Sequence, residues 1–304
     1  MKDLAIIVLC YNSRKHVPVC LRSLHSAIHG MDARVYLVDN ASSDDTVDYV
    51  QREFGWCKVI RSHSNEGYSC GNNLGLKAAG FPDGKLFSHV MLLNPDTVVP
   101  PNALRTMLQY IQAHPDIGVL GPKLLLADGT LDKACKRGSP TPATAFYHFS
   151  GLARLFPRSQ LFGRYNMTFV DPNETADIDS TVGACQMIRG QALSQVGLLD
   201  EQFFMYGEDL DINLRIRQAG YRVVYYPRVI VHHLKGSSTR KEPDRMIRSF
   251  YDSMKLFHRK HFSLNHSPLF NHIVYISADF ICRYKLIRNR LKPPSRRAVG
   301  SAPE

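Results

Sequence analysis

Leu4-Ala5-Ile6-Ile7-Val8-Leu9-Cys10, followed at once by Tyr11-Asn12-Ser13, is the stretch that decides the fold. An unbroken apolar run this short, with no alternation, describes a strand buried on both faces, and the polar residues behind it end it in a loop. Such a strand belongs in a parallel sheet, where crossover helices cover both faces. The next segments agree. Residues 14–29 place Val17, Leu21, Leu24 and Ile28 at helical spacing, and Gly30 stops the run. A second strand, Ala33–Val38, ends at Asp39-Asn40. Ser42-Ser43-Asp44-Asp45-Thr46 then offers caps and first-turn acids for a helix through Phe54. A short strand at Cys57–Arg61, a Gly-containing loop and a helix over 69–79 follow. A fourth strand, Val90–Leu93, ends in Asn94-Pro95-Asp96.

Repeated strand-then-helix units predict an α/β chain with a mixed, mostly parallel sheet flanked by helices. Ligands of such sheets sit outside the carboxyl ends of the strands. Asn12, Asp39, Asn40, Asn94 and Asp96 all fall there, joined by the loop 62–72. In the second half, 103–113 reads as a helix and Gly118–Leu126 as a strand ended by Asp128-Gly129. Residues 135–178 are dense in Pro, Gly and aromatics, too long for a structureless connection, so a functional flap or a set of small elements is expected. A strand at Thr181–Arg189, a helix near 191–196, a helix ending at Gly220 and strands Arg222–Tyr226 and Val229–His233 complete this half.

The segment 244–292 reads as helical. Leu269, Ile273, Ile276, Phe280, Ile281, Tyr284 and Ile287 make an apolar stripe against a basic face, which suits a core helix or an interfacial one equally. The composition of 293–304 predicts disorder. The expected division is a catalytic domain over 1–240 (a nucleotide-binding half to 100, an acceptor and catalytic half beyond), a basic amphipathic extension over 241–292, and a tail.

Composition narrows the classes. The 304 residues are 44% hydrophobic and 21% charged, which describes a globular chain rather than a disordered or fibrous one. A net charge of +11 directs attention to polyanionic partners: nucleic acid, an anionic membrane or phosphorylated substrates. Seven scattered cysteines without a CxxC pair argue against a disulfide framework or zinc knuckle, so a reducing cytosol is expected. The opening strand is too short for a signal peptide or a spanning helix.

Four constellations could carry chemistry. Asn94-Pro95-Asp96 puts a carboxylate at a strand end, either to hold a hard divalent cation or simply to cap a turn. Glu208, Asp209 and Asp211 crowd three carboxylates together. They suit metal binding, a basic partner or proton transfer, or the acidic start of a helix. His232-His233 ends a strand whose alternation lets at most one of the pair face a site. The loop Asn65-Glu66-Gly67-Tyr68-Ser69-Cys70-Gly71-Asn72-Asn73 lets backbone amides approach a phosphate or ribose, although its glycine spacing matches neither common nucleotide fingerprint.

Taken in order, the pieces from Val8 to Asn12 and from Val38 to Thr46, the Asn65–Asn73 loop, Leu92 to Asp96, Phe204 to Asp211, and His233 with Gly236 and Ser238 resemble the family 2 glycosyltransferases of GT-A fold, most closely the rhamnosyltransferase-like branch. The resemblance spans 3–240. It implies an inverting transfer of a sugar from a nucleotide diphosphate (dTDP or UDP) to an acceptor hydroxyl. Asp39 resembles the acid that reads the base, with Tyr11, Asn12 and Asn40 beside it, and Gly67, Asn72 and Asn73 resemble the loop that closes on the nucleoside. Asp96 matches the last acid of the family's metal motif, whose first position is here Asn94. His233, or failing it His232, resembles the histidine that completes a Mg²⁺ or Mn²⁺ site. Asp209 matches the catalytic base, with Glu208 orienting it or binding acceptor. Asp211 either binds acceptor or pairs with Arg215. The branch also implies a glycan or polyprenyl-linked acceptor and a cytoplasmic chain, peripheral at the inner face of the plasma membrane, with 269–292 offering an anionic-membrane contact. No role for nucleic acid is implied.

Two other classes fit less well. A sugar nucleotidyltransferase wants a Gly-rich, basic loop right after the first strand, where this chain has Tyr11-Asn12-Ser13-Arg14-Lys15. A charge-driven nucleic-acid or membrane binder has no use for Asp39, Asp96 and Asp209 at element ends.

Overall fold

The fully buried run from Leu4 to Val8 lies in the interior of a nine-stranded sheet ordered β3-β2-β1-β4-β8-β6-β9-β5, with β7 pairing on β9. The computed structural model describes residues 2–83, 86–235 and 243–292. The Gly236 and Ser238 end of the histidine motif and the disorder expected for 293–304 lie outside those residues. The first half follows the expected alternation: β1 (Lys2–Cys10), α1 (Val17–Ala27), β2 (Ala33–Asp39), α2 (Thr46–Glu53), β3 (Lys58–Arg61), α3 (Gly67–Ala78) and β4 (Phe87–Leu93). All pairings among these four strands are parallel, with Cys10 level with Asp39 and Val8 level with Leu93. That register brings the polar residues after β1, β2 and β4 to one edge of the sheet.

The second half comprises β5 (Thr97–Val98), α4 (Ala103–Ala113), β6 (Ile117–Leu125), α5 (Pro142–Phe149), α6 (Leu152–Leu155), β7 (Ala176–Asp177), β8 (Cys185–Arg189), α7 (Gly190–Val196), α8 (Glu208–Gln218) and β9 (Arg222–His233). The sheet turns mixed here, since β8 runs antiparallel to both β4 and β6, whereas β9 runs parallel to β6. Of the two readings for 135–178, the set of small elements is the one observed. The expected strand from Thr181 shortens to Cys185–Arg189. Thr181 and Gly183 spend their backbone groups on Asn213, Arg137 and Asp209 rather than on a neighbouring strand. The two runs expected at 222–233 are one strand, irregular opposite Pro122 and Lys123. Pro227 lacks the N–H that would keep the ladder regular there.

Beyond it the expected helical extension is built of two helices, α9 (Pro243–His261) and α10 (Pro268–Arg290). Ser267 caps α10 by accepting from the Phe270 amide, and Pro268 sits in its first turn. The pair forms its own small apolar cluster around Ile247, Tyr251, Ala278 and Leu286, so α10 buries one face and leaves the other open. Within the expected stripe, Ile281 is the member that turns toward α9. Among the described residues no helix is long and apolar enough to cross a membrane.

Candidate active site

The end of β1 and the turn after β2 are stitched together by side chains. Asn12 takes a left-handed backbone (φ 49°), and its Oδ1 accepts from the Ser43 and Asp44 amides at 2.8 and 3.2 Å. Its own amide donates to Ser42 Oγ at 2.8 Å. Ala41 is also left-handed (φ 61°), which costs a residue with a Cβ about 1–2 kcal/mol and is the kind of strain that collects at binding sites. Asp39 is buried, accepting from the Ser42 amide at 3.1 Å and from the Cys10 thiol at 3.7 Å. It is not among the residues lining the cleft; Tyr11, Asn12 and Asn40 are.

Asn40 reaches across to the 65–67 loop, donating to Asn65 Oδ1 at 2.9 Å and to the Gly67 carbonyl at 3.1 Å. Gly67 is required by geometry. Its φ is +92°, and a Cβ there would overlap the Phe204 carbonyl. The Tyr68 amide donates to that same carbonyl at 2.6 Å, and Tyr68 Oη to the Gly183 carbonyl at 2.8 Å. The loop therefore docks on the 203–207 turn that carries the acidic cluster. Asn72 and Asn73, expected beside the nucleoside, do not line the cleft, and neither do Asp39 and Gly67. Asn72 donates to the Tyr68 carbonyl within α3, and Asn73 both donates to and accepts from the Leu199 backbone, bracing α3 against the 199–201 turn. Both are buried positions of α3, inside the helix expected over 69–79.

At the end of β4, Asn94 and Asp96 both line the cleft. The short strand β5 pairs with β9 so that Thr97 lies level with His233. That register turns His233 inward and His232 to solvent, deciding between the two. His233 Nε2 lies 3.4 Å from Asp96 Oδ1, and Nδ1 pairs with Asp132 Oδ2 at 3.0 Å. Burial alone would lower the imidazole's pKa, but its two carboxylate neighbours outweigh that and raise it to about 9. Asp132 is held well below the usual carboxylate range; burial opposes this, and His233 and Lys235 overcome it. Asp96 Oδ1 is buried, and its one close polar neighbour among the described residues is the His233 imidazole, at ion-pair rather than hydrogen-bond geometry. Among the described residues no three His, Cys, Asp or Glu side chains form a metal cage. The arrangement fits a hard divalent cation that takes phosphate oxygens for the rest of its shell, with a buried carboxylate oxygen, an imidazole beside it and a carboxylate behind the imidazole, provided the imidazole gives up the proton it now shares with Asp96.

Across the cleft, Tyr206 and Gly207 are left-handed (φ 69° and 82°) and turn the chain into α8, whose first residues are Glu208 and Asp209. Asp209 Oδ2 accepts from Arg137 at 2.6 Å and from the Gly183 amide at 3.1 Å; Oδ1 accepts from the Leu210 amide at 2.7 Å. Glu208 is buried with Oε2 unpartnered, and burial, then the charge of Asp209, raises its pKa to about 8. Of the two roles expected for Asp211, the pairing with Arg215 is the one whose contacts the structure shows. Asp211 is fully buried away from the cleft, pairing with Arg215 at 2.8 Å and with Lys260 and His261 of α9 at 2.7 Å.

These groups surround one cleft of about 2310 Å³, more than twice the volume of an ordinary small-molecule site and large enough for two substrates. Sequence reasoning missed Asp132 and Arg137. The available signal was Lys133, Lys136 and Arg137, three cations in a stretch without an acid from 133 to 170. Lys136 is spent structurally on the Met167 and Val170 carbonyls.

Residues 2–251 match the family model described as glycosyltransferase like family 2. The chain is 27% identical over 259 residues to the N-acetylglucosaminyl-diphospho-decaprenol L-rhamnosyltransferase of Mycobacterium tuberculosis, covering 84% of this chain and 83% of that protein. It is 28% identical over 228 residues to the low-salt glycan biosynthesis hexosyltransferase Agl10 of Haloferax volcanii, covering 73% of this chain and 64% of that protein. Its structure is similar to S. aureus TarS 1–349 in complex with UDP-GlcNAc, with a TM-score of 0.56 and 17% identity over 92% of this chain and 73% of that one. GalNAc-T7 with UDP, GalNAc and Mn²⁺ gives a TM-score of 0.55 and 18% identity over 85% of this chain and 50% of that one. At such identities the structural likeness speaks for the fold, a GT-A-like mixed, mostly parallel sheet flanked by helices with a C-terminal helical extension.

Proposed function

The chain belongs to the glycosyltransferase like family 2, matched across residues 2–251, and is a glycosyltransferase; from that premise we propose that it moves a sugar, rhamnose favoured, from a dTDP- or UDP-linked donor to a hydroxyl of a bacterial cell-surface polysaccharide or lipid-linked glycan, with inversion. Rhamnose and a polyprenyl-linked acceptor are favoured because the Mycobacterium tuberculosis relative is named for both. The observation that carries the reading is the convergence, in one cleft, of strand-end amides, the Asp96–His233 pair and the Glu208-Asp209 pair.

In this reading residues 1–100 serve the donor and 101–240 the acceptor. Tyr11, Asn12 and Asn40 meet the nucleoside, and Asp39 braces the turn beneath them. Asp209 takes the acceptor proton while the hydroxyl oxygen bonds to the anomeric carbon. The bond from that carbon to the diphosphate oxygen breaks, and its electron pair leaves with the diphosphate. Arg137 and the Gly183 amide hold the Asp209 carboxylate in place for this. Glu208, which lines the cleft and has a buried, unpaired oxygen, orients Asp209 or binds the acceptor. Mg²⁺ or Mn²⁺, when bound by Asp96 and His233 beside Asn94, supplies positive charge to the leaving diphosphate. The enzyme works in the cytoplasm, peripheral at the inner face of the plasma membrane.

A donor panel tests this reading. dTDP-rhamnose, UDP-galactose, UDP-N-acetylglucosamine and GDP-mannose are each offered with and without Mn²⁺, and release of nucleotide diphosphate is measured together with the donor-induced thermal shift. A thymidine or uridine sugar should stabilise the protein and turn over. Asp209→Asn should lower turnover about 10²–10⁴-fold with donor binding retained. No stabilisation by any donor, or full activity of Asp209→Asn, sinks the assignment.

A further inference from the structure

Helix α10 carries its apolar residues on the wrong side for a core helix. Leu269, Ile273, Ile276, Phe280, Tyr284 and Ile287 follow one another by three or four residues, the spacing of one helix face, and each is more than half exposed. The face that packs on α9 is elsewhere, at Ala278 and Leu286. A second exposed apolar group lies on the α5–α6 segment, where Phe146, Leu155, Phe156 and Leu161 are also more than half exposed. Ile273 and Phe146 belong to both descriptions: they line the catalytic cleft and remain mostly exposed, so the two groups border the cleft where it opens to solvent.

Charge around these groups is one-sided. Between Asp132 and Asp171 there is no acidic residue, while Arg154 and Arg158 are exposed and Arg164 pairs with Asp179 at 3.4 Å. From Ser253 to Pro303 the only acid is Asp279, and it is paired with Lys255 at 2.7 Å. Arg283 and Arg288 stand exposed on α10, and Arg290 beside them is paired with Asp244 at 2.9 Å. A helix with an open apolar face and basic flanks, too polar to span, has the chemistry of one that lies in a lipid interface.

We propose that the apolar stripe of α10 and the Phe146–Leu161 segment together form a docking face for an anionic phospholipid bilayer, which sets the mouth of the catalytic cleft against the membrane surface. This deepens the lipid-linked acceptor reading, on which its purpose rests, since the acceptor's sugar would enter the cleft while its lipid stays in the bilayer. The helix concerned lies beyond the family match, which ends at residue 251.

The test is co-sedimentation of the full chain with vesicles of phosphatidylcholine alone and of phosphatidylcholine and phosphatidylglycerol in equal parts, next to vesicle-free controls. The protein should pellet with the anionic vesicles only, and less so as salt is raised. Ile276→Asp or Phe280→Asp, at positions that do not line the cleft, should weaken binding by about tenfold or more. Arg283→Glu should weaken it about fivefold or more. Melting temperature and the nucleotide-induced thermal shift should stay at wild-type values in all three. Equal binding to both vesicle types, no binding, or variants that bind like wild type overturns the proposal. So does self-association of the wild type that Phe280→Asp abolishes, which would make the stripe an interface between copies. A missing thermal shift with vesicle binding intact counts against the glycosyl-donor reading and leaves the docking face standing.

Discussion

Glu208 and Asp209 are neighbours in sequence with opposite surroundings. Asp209 is hydrogen-bonded at both oxygens and faces a guanidinium; Glu208 is buried with one oxygen unpaired. A carboxyl whose folded-state pKa rises from 4.5 to about 8 favours the native state fully only while it stays protonated in both states. Its contribution is present below pH 4.5 and falls away as the pH climbs to about 8. Glu208→Gln, which mimics the neutral acid, should therefore melt close to wild type at pH 4.5 and above it at pH 8, by roughly 2–4 °C for each kcal/mol recovered. Thermal unfolding at a series of pH values checks this; a constant difference between the two proteins would show that Glu208 is not held neutral.

Among the elements, α8 does the joining. Its first residues face the cleft and its third acid faces the other way, into the brace with α9. Burial would raise the Asp211 pKa, but His261, Arg215 and Lys260 together hold it down at about 2. The stabilisation from this group is present above the ordinary value of 3.8 and is lost as the pH falls through about 2. Asp211→Asn leaves the cationic partners around a neutral amide, and removing one member of a buried ion network costs about 3–5 kcal/mol. Denaturant unfolding at pH 7 should show that loss, and the gap to wild type should close between pH 4 and pH 2. If Asp211 instead served the acceptor, the variant would keep its stability and lose turnover. The α3 loop is similarly settled by a neighbour: Gly67 is there because Phe204 is.

At the scale of the whole molecule, the cleft is assembled from both halves of the chain, so ligand binding should stabilise all of it. Nucleotide diphosphate with Mn²⁺ at about a hundred times its dissociation constant should add about 2.7 kcal/mol to unfolding stability. Because Asp96 and His233 offer only two side chains, the metal and the diphosphate should each need the other. Either alone should shift the melting temperature far less than both, and EDTA should erase the joint effect. Additive separate shifts would argue against a shared site.

The parallel sheet was legible in the sequence because unbroken apolar runs such as Leu4–Cys10 state their burial by themselves, and because polar strand ends line up once the strands run in parallel. Asn12, Asn40, Asn94 and Asp96 were readable as cleft residues on that local basis, whereas Asp209 was placed there through its match to a family motif. What a side chain faces was another matter, since it depends on neighbours distant in sequence. His233 is separated from His232 by the β5–β9 register, Asp209 meets Arg137 across 72 residues, and Asp211 is claimed by a helix 50 residues on. The apolar stripe of α10 was equally plain in the sequence; only the packing of α9 against its other face decided that it stays exposed.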